Sequence, residues 1–89
     1  MPEIFRKFGF RFFFYSDEHE PIHIHVSKGE NEASYNVTET EINLRENYGM
    51  NNKELKKIEM LIVENRELII ESWDNYFIKN KGNDNKGTN

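Results

Sequence analysis

Three histidines, a proline and three carboxylates fall within eleven residues of this chain, Asp17–Ser27, DEHEPIHIHVS. Ile22, Ile24 and Val26 alternate there with His23, His25 and Ser27. A β-strand turns successive side chains to opposite faces, so the aliphatic set points to a core and both imidazoles to the other side. Two residues along a strand span roughly 6–7 Å, close enough for the rings to share a phosphate, a metal ion or a proton.

One chemistry such a pair can perform is acid–base cleavage of RNA. One imidazole takes the 2′-hydroxyl proton while a second group protonates the leaving oxygen. A nearby cation holds the charge that grows on the phosphorus oxygens. The segment Phe10–Tyr15, FRFFFY, supplies candidates. Its parity puts Phe10, Phe12 and Phe14 on one face and Arg11, Phe13 and Tyr15 on the other. If the two strands are antiparallel neighbours sharing a core, Arg11 and Tyr15 join His23 and His25 on one face. A further strand, Ala33–Val37, adds Ser34 and Asn36 at the edge of that face. The candidate catalytic set is therefore His23, His25, Arg11 and Tyr15, with His19 in support, and this chemistry uses no cofactor.

The same residues admit two other readings. His-x-His followed by a carboxylate is a metal-ligand pattern, and here His19, His23, His25 and Glu30 could hold a divalent transition metal. The spacing resembles the first metal motif of cupins, but the flanking glycines and the second histidine motif are absent. Alternatively, the histidines lie on the solvent face of a sheet, in a module that binds protein or nucleic acid without turnover.

The elements that position these residues follow from patterning. Met1–Phe8 is β-inclined, and Gly9 turns the chain back. Pro21 sets φ before the histidine strand. Lys28–Asn31 forms a hairpin turn at Gly29, and Ile42–Leu44 adds a short extended piece. Asn51 or Asn52 caps the helical part that follows. There Leu55, Ile58, Leu61 and Ile62 make one apolar stripe, and Leu68, Ile69, Trp73, Tyr76 and Phe77 a second. The two are out of phase near Asn65, which predicts two helices or one bent helix. The fold expected is α+β: an N-terminal antiparallel sheet of about four strands packed against these helices. Residues 1–78 form one domain, and the polar stretch 79–89 is expected to be disordered.

Composition bounds the rest. Eighty-nine residues suit a single small domain, whose core leans on the 13 % of aromatic residues. Cysteine is absent, so thiolate metal sites and disulfides are excluded. The opening MPEIFRKFGF has no apolar leader, and no apolar run approaches the length of a membrane span, so a cytoplasmic protein is expected. The net charge of −4 disfavours a stable DNA binder and favours a protein partner. It is unevenly spread: residues 1–28 balance four Lys/Arg against four Asp/Glu, whereas residues 29–50 hold one Arg and five Glu. The first strand is short and peripheral, and an exposed edge there allows a homodimer.

Met1-Pro2-Glu3-Ile4, the strand ending Phe14-Tyr15-Ser16, Asp17-Glu18-His19, Pro21-Ile22-His23-Ile24-His25-Val26, and the later Glu67-Leu68 with Trp73 together resemble a small prokaryotic family. It is known as domain of unknown function 4160. The likeness covers roughly residues 1–78. Ile22 replaces the second proline of the family's Pro-Pro-His, and Asn65 stands where many members have histidine. The resemblance implies that His19, Pro21, His23, His25 and Trp73 are the motif positions. It also implies a cognate small protein encoded by an adjacent gene, as in a proposed type II toxin–antitoxin pair, with this chain as the toxin.

Overall fold

A computed structural model describes residues 3–15 and 22–79. His19, Pro21 and the polar stretch from residue 80 onward lie outside the described residues. Five strands form one antiparallel sheet in sequential order: β1 (Glu3–Lys7), β2 (Phe10–Phe13), β3 (His23–Lys28), β4 (Asn31–Val37) and β5 (Ile42–Tyr48). The helices α1 (Asn52–Glu64) and α2 (Arg66–Trp73) follow, then a π-helical turn, Asp74–Lys79. The fold is α+β, with one strand more than expected. The extra strand is the piece expected at Ile42–Leu44, which runs on to Tyr48. Six of its seven residues are exposed, so its apolar signal is weak and its existence rests on pairing with β4.

The aromatic strand β2 pairs with both β1 and β3. Its Phe10 and Phe12, with Phe14 just beyond it, bury on one face with Ile24, Val26, Ala33, Tyr35 and Val37. Ile58, Leu61 and Ile62 of α1 and Ile69 and Trp73 of α2 cover that face. The second stripe is narrower than expected. Leu68 is 42 % and Tyr76 36 % exposed, and half-buried Ile70 lies on the packed side instead.

Local chemistry sets the boundaries. Asn47 brackets Met50 by accepting from its N–H and donating to its carbonyl, both at 3.0 Å. Gly49, at φ 98°, makes the turn between them. Asn51 then caps α1: its Oδ1 accepts from the Glu54 N–H at 2.8 Å, and Glu54 accepts from the Asn51 N–H at 3.0 Å. Such a reciprocal cap contributes about 1 kcal/mol. At Asn65 the side-chain amide donates to the Leu61 carbonyl at 2.9 Å, and the backbone departs from helical values (φ −115°, ψ 22°). That bond competes with the helical ladder and ends α1 where the two stripes fall out of phase.

The β1–β2 turn is a two-residue hairpin in which Phe8 (φ 56°) and Gly9 (φ 85°) are both left-handed. Gly9 takes this conformation freely, whereas an L-residue such as Phe8 is strained there by about 1 kcal/mol. Among the described residues no helix is long and apolar enough to cross a membrane.

One polar link crosses the core. The Tyr35 hydroxyl of β4 donates to Glu59 Oε2 of α1 at 2.9 Å. Burial, reinforced by the Glu59 hydrogen bond and charge, pushes the Tyr35 phenol well above its ordinary range. The unfolded chain therefore loses this proton from about pH 10 while the folded chain keeps it, so the contribution is complete below that pH and declines above it. Tyr35→Phe is expected to cost about 1 kcal/mol at pH 7. It should also lessen the fall in stability above about pH 10, as read by denaturant titration across pH.

Candidate functional site

The second face of the sheet is built by register. β3 pairs with β2 through Phe13↔His25 and Arg11↔Ser27, and with β4 through His23↔Asn36, His25↔Ser34 and Ser27↔Glu32. Arg11, Phe13, His23, His25, Ser27, Glu32, Ser34 and Asn36 thus share one side. β5 flanks β4, so Ser34 and Asn36 stand inside the sheet rather than at its edge.

This face is not simply solvated. His25 is only 6 % and Phe13 2 % exposed. The His25 ring lies 4.2 Å from the Tyr15 ring, 5.7 Å from Phe13 and 5.6 Å from His23, centroid to centroid. Half-buried His23 in turn lies 5.7 Å from Trp73. Trp73 is fully buried core, and the same indole borders His23.

Glu32 organises the cluster. Its carboxylate accepts from the Tyr15 hydroxyl at 3.1 Å and lies 3.3 Å from His25 Nδ1. Where the ionised carboxylate accepts from His25, the proton sits on Nδ1, and the lone pair of the neutral ring then falls on Nε2. A carboxylate that fixes the tautomer and orientation of an imidazole is a standard way to prepare a general base. Glu32 was not among the residues singled out from the sequence, because the fourth strand was expected to begin at Ala33. It begins at Asn31, and the parity of Ser34 and Asn36 extends to Glu32, diagonal to His25.

Arg11 stands one step along the face, opposite Ser27. Its Nε donates to Glu3 Oε1 at 3.0 Å, and its guanidinium carbon lies 4.6 Å from the Phe13 ring centre. Arg6 shares the same carboxylate at 2.7 Å, and this hydrogen bond chiefly holds the Glu3 carboxyl below its usual range. Glu30 lies in the β3–β4 turn, beyond the far end of the strand from His23. Among the described residues no group of three His, Asp or Glu side chains is placed to hold a metal ion. His19 lies outside them.

Two buried oxygens on this face, Ser34 Oγ and Asn36 Oδ1, have no hydrogen-bond partner among the described residues. They stand opposite His25 and His23 respectively.

The sequence profile of the family described as Domain of unknown function (DUF4160) matches residues 9–74, which include both histidines, Glu32 and Trp73. The chain belongs to this family. No curated protein and no solved structure matches it.

The unpartnered Ser34 hydroxyl yields a test. Removing a buried unsatisfied group relieves its desolvation cost, so Ser34→Ala should leave stability unchanged or raise it by about 1 kcal/mol. A loss of more than that in chemical denaturation would mean that the hydroxyl is bonded in solution.

Proposed function

We propose that this chain is the toxin of a two-protein toxin–antitoxin pair in the cytoplasm, and that its histidine face cleaves RNA without a metal. The observation that carries this reading is the Tyr15–Glu32–His25 cluster beside a second imidazole. In the proposed reaction His25 Nε2 takes the proton of a ribose 2′-hydroxyl. The freed oxygen attacks phosphorus, and the bond from phosphorus to the 5′ oxygen breaks. Protonated His23 supplies the proton to that leaving oxygen. The products are a 2′,3′-cyclic phosphate and a 5′-hydroxyl, and the second proton returns to solvent.

Glu32 stabilises the imidazolium formed on His25, and burial strengthens that pair. Arg11 faces the phosphate with the guanidinium N–H groups not engaged by Glu3. The resemblance on which the toxin role rests also implies a partner, a small protein encoded alongside.

A second reading, a module that binds a partner without catalysis, draws support from β5. This strand closes one side of the sheet, with Leu44 45 % and Tyr48 62 % exposed. An open edge of this kind can add a strand from a cognate protein or from a second copy.

Growth after induced expression, paired with RNA integrity, separates the two. Wild type should arrest growth, and His25→Ala, His23→Ala and Glu32→Gln should relieve the arrest while remaining folded by circular dichroism. Cleavage of an oligoribonucleotide should fall about 100-fold or more in either histidine variant. Equal cleavage by wild type and both variants would remove the catalytic assignment.

A further inference from the structure

The β1–β2 hairpin carries a cationic, aromatic tip that the acid–base chemistry does not use. In a chain of net charge −4, Arg6, Lys7, Arg11 and Lys28 gather around a groove of about 460 Å³ that Phe8, Gly9 and Ser27 also line. Arg6 and Arg11 share Glu3, and Lys28 lies 3.9 Å from Glu54. Lys7 and Lys57 of α1 make no ion pair among the described residues. Their ammonium groups lie 5.5 and 4.8 Å from the centre of the Phe8 ring.

Phe8 opposes the demands of the fold twice. It is 56 % exposed, so its ring is only partly buried, and it holds φ at 56°, where glycine or asparagine would sit with less strain. The two cation–π contacts offset part of that strain and leave a half-exposed ring flanked by cations that make no ion pair among the described residues, a surface suited to a ligand. A flat apolar ring flanked by ammonium groups suits a nucleobase stacked on the ring with its phosphates against the lysines.

The tip stands at the end of the same sheet, with Lys7 and Lys28 on the helix-covered side and Arg11 and Ser27 on the histidine side. From the Lys7↔Phe10 pair that closes the turn, β2 reaches the Phe13↔His25 pair in three residues, roughly 10 Å.

We propose that the Phe8 hairpin is a subsite for single-stranded RNA that passes round the hairpin end from the histidine face. One base stacks on Phe8, and the adjoining phosphates lie against Lys7 and Lys57. This inference rests on the reading that the histidine face acts on RNA.

The test is fluorescence anisotropy with a labelled single-stranded 2′-O-methyl oligoribonucleotide, in which the attacking hydroxyl is blocked so that binding is read apart from cleavage. Phe8→Gly is expected to bind roughly ten-fold more weakly than wild type. Its melting temperature should be unchanged or higher, because the strain is relieved. In Lys7→Gln/Lys57→Gln the slope of log affinity against log salt should shrink by about 1.4. Phe8→Gly binding as tightly as wild type, or no binding by wild type, would overturn the subsite.

The two proposals fail separately. Tip binding without any cleavage removes the ribonuclease reading alone. Cleavage of a dinucleotide, too short to reach the tip, together with Phe8-independent binding of the oligonucleotide removes the subsite alone.

Discussion

The helices α1 and α2 lie over one face of the sheet, and the rest of the structure depends on that covering. Phe14 meets Trp73 edge-on at 5.1 Å, and Trp73 meets Phe77 at 4.3 Å. Ile24 and Val26 of β3 are fully buried beneath the helices. Because a strand repeats every two residues, burying Ile24 and Val26 obliges His23 and His25 to face the other way. A slip of one residue would send two imidazoles into the apolar core and two aliphatic side chains out of it. Each imidazole so buried without a partner would cost several kcal/mol. The packing that stabilises the domain therefore also presents its polar face.

On that face the physics differs from that of an ordinary solvated sheet surface. Phe13, one of the most buried residues, supports the His25 ring on one side, and Arg11 extends over Phe13. Glu32 links Tyr15, beyond the end of β2, to His25 of β3. These polar contacts lie close to apolar side chains, where they are stronger than in water and where an unmet group is costly. Ser34 Oγ and Asn36 Oδ1 are such groups, and both stand across from histidines.

Much of this was legible in the residues themselves. Alternation in PIHIHV and FRFFFY placed Arg11, Tyr15, His23 and His25 on one face, and the change of helical phase near Asn65 marked the break between α1 and α2. The family marks, Pro-x-His-x-His-Val and the distant Trp73, were legible too. What escaped notice depends on tertiary context. β5 is mostly exposed, so its identity as a strand comes from its partner rather than from alternation. Glu32 looks like one more acidic residue in a Glu-rich stretch until the β3–β4 register puts it diagonal to His25. The strain at Phe8 is a backbone dihedral, for which the sequence Lys-Phe-Gly offers only the neighbouring glycine as a hint.

The hold of Glu32 on the His25 imidazole is the central claim, and its most direct measurement is the ring tautomer. Long-range ¹⁵N–¹H correlation spectra of the labelled protein distinguish the two ring nitrogens of each neutral histidine. Neutral His25 is expected to carry its proton on Nδ1, and Glu32→Ala is expected to weaken this preference while leaving the sheet intact. A neutral His25 protonated on Nε2 in the wild type would contradict it, because the carboxylate would then not be holding the ring and Nε2 could not serve as the base.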